Sequence, residues 1–199
     1  MKTRIGINGF GRIGRLVLRA VVQEGYQDVE VGAINSLADP ESNAHMFKYD
    51  TTYGPYKGEV TWTEDSIIID GNPVTCLNSK SPSSLPWGDH GVDIVIECTG
   101  KFTNSTEASD HLVGGAKKVI ISAPAQNEDL TIVLGVNENQ YDKNKHHILS
   151  NASCTTNCAA PLMKVLDDSF GIEQGMMTTI HAYTNDQQVL DKRHKDKLL

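Results

Sequence analysis

Three glycines near the N-terminus, Gly9-x-Gly11-x-x-Gly14, constrain this chain more than any other feature, because of what flanks them. Residues 4–8 are an apolar run that reads as a strand buried on both faces, and residues 12–23 set Ile13, Leu16, Val17 and Ala20 at helical spacing. The glycines therefore stand where a strand turns into a helix. At such a turn Gly9 permits the tight bend, Gly11 lets main chain approach a ligand, and Gly14 lets helix and strand pack closely. The amides of Arg12 and Ile13 open the helix at the positive end of its dipole, which suits a pyrophosphate. A second apolar run at residues 29–34 follows Gly25, so the first forty residues form one βαβ unit with parallel strands. In that context the glycine string reads as a dinucleotide fingerprint.

The alternation continues along the chain. Residues 39–48 read as a short helix, and residues 57–77, β-branched around Gly71-Asn72-Pro73, as a solvent-facing hairpin added to the main sheet. Residues 92–97, 117–122 and 131–136 read as strands, with a helix at 106–113. After Ile148-Leu149, residues 154–168 carry Ala159, Leu162, Val165 and Leu166 at helical spacing. Residues 171–183 read as a long strand, and residues 191–199 are charged and lack a stop signal. This order predicts an α/β chain. A Rossmann-type doubly wound parallel sheet forms a dinucleotide-binding domain over residues 1–153, and residues 154–199 begin an α+β catalytic domain.

One customary feature is missing. About twenty positions beyond the glycine turn an acidic residue usually accepts hydrogen bonds from the adenosine ribose. Here the second strand ends Ile34-Asn35-Ser36. Ser36 brings no charge to repel a 2′-phosphate, so NADP is admissible, while the lack of an adjacent arginine leans the choice to NAD. Asp39 substitutes for the missing acid if the loop bends back.

Composition narrows the partners. Of 199 residues 39% are hydrophobic and 22% charged, the balance of a soluble globular protein. A net charge of -7 and a pI near 5.4 provide no basic field for nucleic acid or an anionic membrane surface. No apolar run approaches a membrane span, and the N-terminus lacks a secretory pattern. Four cysteines, two of them in apolar stretches, fit a reduced cytoplasmic protein rather than a disulfide framework.

One of those cysteines sits where thiols become reactive. Ser150-Asn151-Ala152-Ser153-Cys154-Thr155-Thr156-Asn157-Cys158 places Cys154 among small polar residues at a predicted helix start, and a helix N-terminus stabilises thiolate. Cys158, Cys76 and Cys98 read as small buried hydrophobes. No second closely spaced Cys/His pair follows, so no metal is expected. A thiolate needs a proton acceptor. His181, at the end of a predicted strand where a polar loop begins, is one candidate among seven histidines, and spacing alone does not select it.

The same segments carry a family resemblance. Ile7-Asn8-Gly9-Phe10-Gly11-Arg12-Ile13-Gly14-Arg15, Lys48-Tyr49-Asp50, Glu97-Cys98-Thr99-Gly100, Ile121-Ser122-Ala123-Pro124-Ala125, residues 150–157 and His181-Ala182-Tyr183-Thr184-Asn185-Asp186-Gln187 closely resemble the glyceraldehyde-3-phosphate dehydrogenase family. The resemblance runs from Thr3 to about Asp196. It implies a homotetramer that oxidises glyceraldehyde 3-phosphate with inorganic phosphate to 1,3-bisphosphoglycerate. It makes Cys154 the nucleophile and His181 its base. Ser153 and Thr155 are implied near the attacking phosphate and substrate, and Thr184 at the substrate phosphate. For the cofactor it implies Arg12 and Ile13 at the pyrophosphate turn, Lys80 on the adenine side and Ser122 near the nicotinamide, with Ser36 where the family usually has aspartate.

Past Asp196 the family continues with Leu-Arg-Arg and a long loop, where this chain has Lys197-Leu198-Leu199. Roughly 130 residues of catalytic domain are then expected to be missing, and the chain alone to be inactive. Two other readings compete. Residues 33–39 have something of an erythrose-4-phosphate dehydrogenase, against which Thr184 in its Tyr-Thr-Asn-Asp setting argues; a semialdehyde dehydrogenase is more distant. From another class, the chain could be a non-catalytic nucleotide-binding fragment.

Overall fold

The computed structural model describes residues 2–184 and residue 187. The charged segment 191–199 and the divergence after Asp196 lie outside the described residues. The first βαβ unit forms as expected: β1 (Thr3–Asn8), α1 (Arg12–Glu24) and β2 (Val29–Asn35), with Gly25 closing α1 in the left-handed conformation that a glycine adopts without penalty. There follow α2 (Pro40–Lys48), β3 (Val60–Trp62), β4 (Ser66–Ile69) and β5 (Asn72–Leu77). The second half supplies β6 (Ile94–Glu97), α3 (Ser105–Ala108), α4 (Asp110–Val113), β7 (Lys118–Ile121), β8 (Leu130–Thr131), β9 (Ile148–Ser150) and α5 (Cys154–Phe170).

The nine strands among the described residues join one sheet in the order β3-β4-β5-β2-β1-β6-β7-β9-β8. The six strands from β5 to β9 in that order are parallel, and their succession is that of a doubly wound dinucleotide-binding sheet. Sequence order reverses between β1 and β6, so the crevice at the carboxyl ends of those two strands is where a ligand finds room. Main-chain bonds tie the strand ends together: Gly9 N–H to Asn35 O, Ser36 N–H to Leu77 O, Cys98 N–H to Asn8 O and Ser122 N–H to Glu97 O.

Both sheet faces are covered. Ile7, Leu18, Ile34, Phe47, Ile67, Ile69 and Val74 form one core with α1 and α2. Ala33, Leu85, Trp87 and Val95 form a second, and Ala108, Val119, Ile121 and Ile148 a third.

Several expectations need correction. The hairpin does not face solvent: Ile67 and Ile69 of β4 lie in the first core, and β5 lies parallel to β2 as a full member of the main sheet. The helix expected at 106–113 is two short pieces, divided at Ser109, whose hydroxyl donates to the Thr106 carbonyl. Of the strand expected at 131–136 only Thr131 pairs with β9, as the second residue of β8 (Leu130–Thr131). The Asn137 side chain then takes the main chain over, its Nδ2 donating to Thr131 O and its Oδ1 accepting from Val133 N–H. Residues 171–183 form no strand, for they have no ladder partner among the described residues. Helix α5 has no buried residue; Leu162, Val165 and Phe170 are exposed on it.

Candidate active site

A cleft of about 700 Å³ opens at the carboxyl ends of β1, β2 and β6. Asn8, Gly9, Gly11, Asn35, Ser36, Lys80, Thr99 and Phe102 are among its lining residues. Gly9 takes φ +92, and a Cβ there would come within 2.8 Å of the Thr99 main-chain nitrogen. Only glycine fits both demands. At Gly14 a Cβ would stand 2.2 Å from the Gly9 carbonyl oxygen, so α1 rests directly on the turn. Gly11 is different. A Cβ built there meets nothing within 4 Å, leaving the main chain open to the cleft.

Among the described residues no side chain caps α1, and its first helical bond is Arg15 N–H to Gly11 O at 3.0 Å. The amides of Arg12, Ile13 and Gly14 precede that bond and find no main-chain acceptor among the described residues. Three free donors at a helix start beside an open glycine fit the pyrophosphate of a dinucleotide. The Arg12 side chain turns away, paired with Asp50 at 3.0 Å, and Ile13 is half exposed. Asp39 does not bend back toward Ser36. Its carboxylate caps α2, accepting from Ser42 N–H at 2.7 Å, while the Ser36 hydroxyl donates to Asn43 Oδ1 at 2.9 Å.

Among the expected cofactor residues, Gly9, Gly11, Ser36 and Lys80 line the cleft, with Arg12, Ile13 and Gly14 at its helical edge. Ser122 is not part of the lining; it follows β7, and its main-chain N–H donates to the Glu97 carbonyl at 3.0 Å. Sequence reasoning missed Asn8, Asn35 and Thr99 as lining residues. Each ends or follows a strand of the parallel sheet, and that position is the signal that finds them.

The second cluster gathers at the start of α5. Ala152, between β9 and the helix, is buried at φ +59, a conformation that costs a non-glycine residue about 1–2 kcal/mol. The Asn157 amide holds it there by donating to Asn151 O at 2.7 Å and Ser153 O at 2.9 Å. Ser153 caps the helix by accepting from Thr156 N–H at 2.9 Å. Cys154 is thus the first helical residue, exposed, with Sγ 3.1 Å from His181 Nε2. The hydrogen bond to His181 draws the Cys154 thiol below its ordinary pKa, and the Thr155 main-chain N–H adds to the effect. His181 moves the other way, raised first by its Nδ1 bond to the Ala182 carbonyl and then by Cys154. Both shifts act in the direction that favours a thiolate on Cys154 and a proton on His181.

The other thiols differ. Burial pushes Cys98 up to about 12 and Cys76 up to about 11. Cys158 is exposed rather than buried, because α5 has no buried residue. Thr184 N–H donates to Gln187 Oε1 at 2.9 Å; Asn185 and Asp186 of the same motif lie outside the described residues. Among the described residues no helix is long and apolar enough to cross a membrane.

Comparison with known proteins bears on both clusters. The family model described as glyceraldehyde 3-phosphate dehydrogenase, NAD binding domain, matches residues 3–105, and the C-terminal domain model of that enzyme matches residues 153–198. The glyceraldehyde-3-phosphate dehydrogenase of Streptomyces coelicolor is 57% identical over 196 residues, covering 98% of this chain and 58% of its own length. The namesake from Geobacillus stearothermophilus is 53% identical over the same shares of each chain. That of Thermotoga maritima is 54% identical over 193 residues, covering 97% of this chain and 58% of its own. The chain spans about 58% of the length of these curated relatives.

Proposed function

Because the chain belongs to the glyceraldehyde-3-phosphate dehydrogenase family, we propose that it serves the oxidation of glyceraldehyde 3-phosphate with inorganic phosphate to 1,3-bisphosphoglycerate, with Cys154 as nucleophile and His181 as its acid and base. The observation that carries this reading is the 3.1 Å approach of Cys154 Sγ to His181 Nε2 at the mouth of α5. The thiolate adds to the aldehyde carbon, and His181 gives its Nε2 proton to the carbonyl oxygen, leaving a hemithioacetal on Cys154. His181 then takes the hydroxyl proton back as a hydride departs from that carbon, and a thioester remains. A nicotinamide dinucleotide, when bound, supplies the hydride acceptor. Inorganic phosphate adds to the thioester carbon, and Cys154 leaves as thiolate. The Cys154 amide, at the start of α5, is placed to donate to the oxyanion in both tetrahedral steps.

In this reading Ser153 and Thr155 flank the attacking phosphate and Thr184 binds the substrate phosphate. The glycine turn holds the cofactor's pyrophosphate, Ser36 and Lys80 the adenosine side, and Ser122 stands near the nicotinamide. NAD is the cofactor proposed. NADP is the second choice, favoured by one observation: Lys80 lines the same cleft as the uncharged Ser36. Residues 1–153 act as the dinucleotide-binding domain and residues 154–199 begin the catalytic one. At the length of the relatives the protein is a cytoplasmic homotetramer, and a chain of this length alone binds dinucleotide with little turnover.

The test is alkylation of Cys154 by iodoacetamide as a function of pH, located by peptide mass mapping. His181 holds the thiol's pKa down, so its half-reactive pH lies below that of a free thiol, and His181→Asn moves it upward. An unchanged half-point in that variant removes His181 from the role assigned to it.

A further inference from the structure

Beneath the cleft lies a polar cluster that the chemistry of Cys154 and His181 does not use. Glu97, the last residue of β6, and His111 of α4 are both fully buried. The Glu97 carboxylate accepts from Asn8 Nδ2 at 2.5 Å, from His111 Nε2 at 3.0 Å, from Thr99 N–H at 2.7 Å and from the Thr99 hydroxyl. The direction at His111 is set from its other side. The Trp87 indole N–H can only donate and lies 3.0 Å from Nδ1, so Nδ1 accepts and the ring proton on Nε2 points at Glu97.

The bonds extend across the sheet. Asn8 Oδ1 accepts from Asn35 Nδ2 at 2.7 Å, and Asn35 is bonded to both the carbonyl and the amide of Ser79 at 2.8 Å. Asn8, Asn35, Ser79 and Thr99 line the cleft, whereas Glu97, His111 and Trp87 lie outside its lining. One buried carboxylate thus ties the end of β1, which continues into the glycine turn, to the loop after β6.

We propose that Glu97 is a positioning residue for dinucleotide binding: its carboxylate, an acceptor only, fixes Thr99 and Asn8 and through them the separation of the two cleft walls. The proposal rests on reading the cleft as the dinucleotide site. Charge rather than shape is what matters here. Glutamine has the same outline but sets an NH₂ against either the Thr99 donors or those of Asn8 and His111, and the walls must part to relieve the clash. The wall at the end of β2, where adenosine is held in such folds, reaches Glu97 only through the Asn8–Asn35 bond and is held independently by two Asn35–Ser79 bonds, so it should largely keep its shape.

Titration calorimetry of this chain with NAD and separately with AMP tests the proposal. Glu97→Gln is expected to weaken NAD about tenfold or more, the equivalent of one buried donor left unpaired, while AMP affinity stays within about twofold. A merely structural role weakens both ligands together or neither, and either result overturns the proposal. If Glu97→Gln does not fold, His111→Asn keeps an acceptor for Trp87, removes a donor from Glu97, lies outside the cleft and is expected to show the same split. Equal effects on NAD and AMP in that variant overturn the proposal equally. Failure of the unsubstituted chain to bind NAD would instead refute the reading of the cleft, and the proposal with it.

Discussion

Gly14→Ala asks whether the seating of α1 on the glycine turn is what aims the free amides into the cleft. Two effects oppose each other. Alanine favours a helix interior by about 1 kcal/mol over glycine, so propensity alone predicts a gain. Against it, the new Cβ would lie 2.2 Å from the Gly9 carbonyl oxygen where ordinary contact begins at 3.4 Å, so the helix must retreat by about 1.2 Å. The obstacle is main chain and cannot rotate aside. Overpacking of this kind costs about 1–3 kcal/mol, and with main chain on both sides the upper end applies, for a net loss of about 2 kcal/mol. For a chain of this size that is a fall in Tm of about 4–8 °C. The retreat also carries the Arg12, Ile13 and Gly14 amides away from the anion. Losing one charge-assisted bond of about 1.5–3 kcal/mol weakens dinucleotide binding about 10–150-fold. Gly11→Ala separates the two effects. Gly11 has φ -74 and nothing within 4 Å of a built Cβ, so Tm should hold while affinity falls, because the methyl enters the space open to the ligand. Thermal unfolding and calorimetric titration of both variants make the comparison. A Gly14→Ala protein with unchanged Tm and unchanged affinity, or equal Tm losses in the two variants, refutes the reasoning.

Brief labelling with iodoacetamide near neutral pH should modify Cys154 first and leave Cys98 and Cys76 nearly untouched, since burial pushes those two thiols up to about 12 and about 11; an adduct appearing on Cys98 before Cys154 contradicts this order. Ser153→Ala removes the cap of α5, expected to cost about 1 kcal/mol and to slow alkylation of Cys154 as the helix start frays, both readable from thermal unfolding and the labelling rate. A labelling rate equal to that of the unsubstituted chain would show that Cys154 does not depend on the helix start.

The first βαβ unit is legible in the sequence because each of its parts is locally determined: an apolar strand, three glycines with distinct tasks and a helix with one apolar side. The hairpin is legible as a hairpin, but its place is not. Local pattern reveals that β4 and β5 pair, whereas the parallel contact of β5 with β2 depends on where the whole sheet has room. The stretch at 131–136 shows the opposite failure, for its apolar residues invite a strand that the side chain of Asn137 interrupts by bonding main chain at Thr131 and Val133. At the candidate site the position of Cys154 at a helix start follows from Ser153 and its polar neighbours. Its partner does not, since His181 is 27 residues away and no periodicity joins them. His111 reads from sequence as a structural histidine and is fully buried, but its bonds to Trp87 and Glu97 require the fold to bring together residues far apart in the chain.

The reversal of strand order at β1 also bears on synthesis. β1 leaves the ribosome before β2 and finds it soon afterwards, but its other neighbour waits: Asn8 and Glu97 are 89 residues apart. At translation speeds of 5–20 residues per second the free edge of β1, all main-chain donors and acceptors, stays open for about 5–20 s. The nascent chain therefore passes through a stage in which the central strand of the finished sheet is an unprotected margin. Chaperone demand and misassembly should concentrate there, and end once β6 emerges.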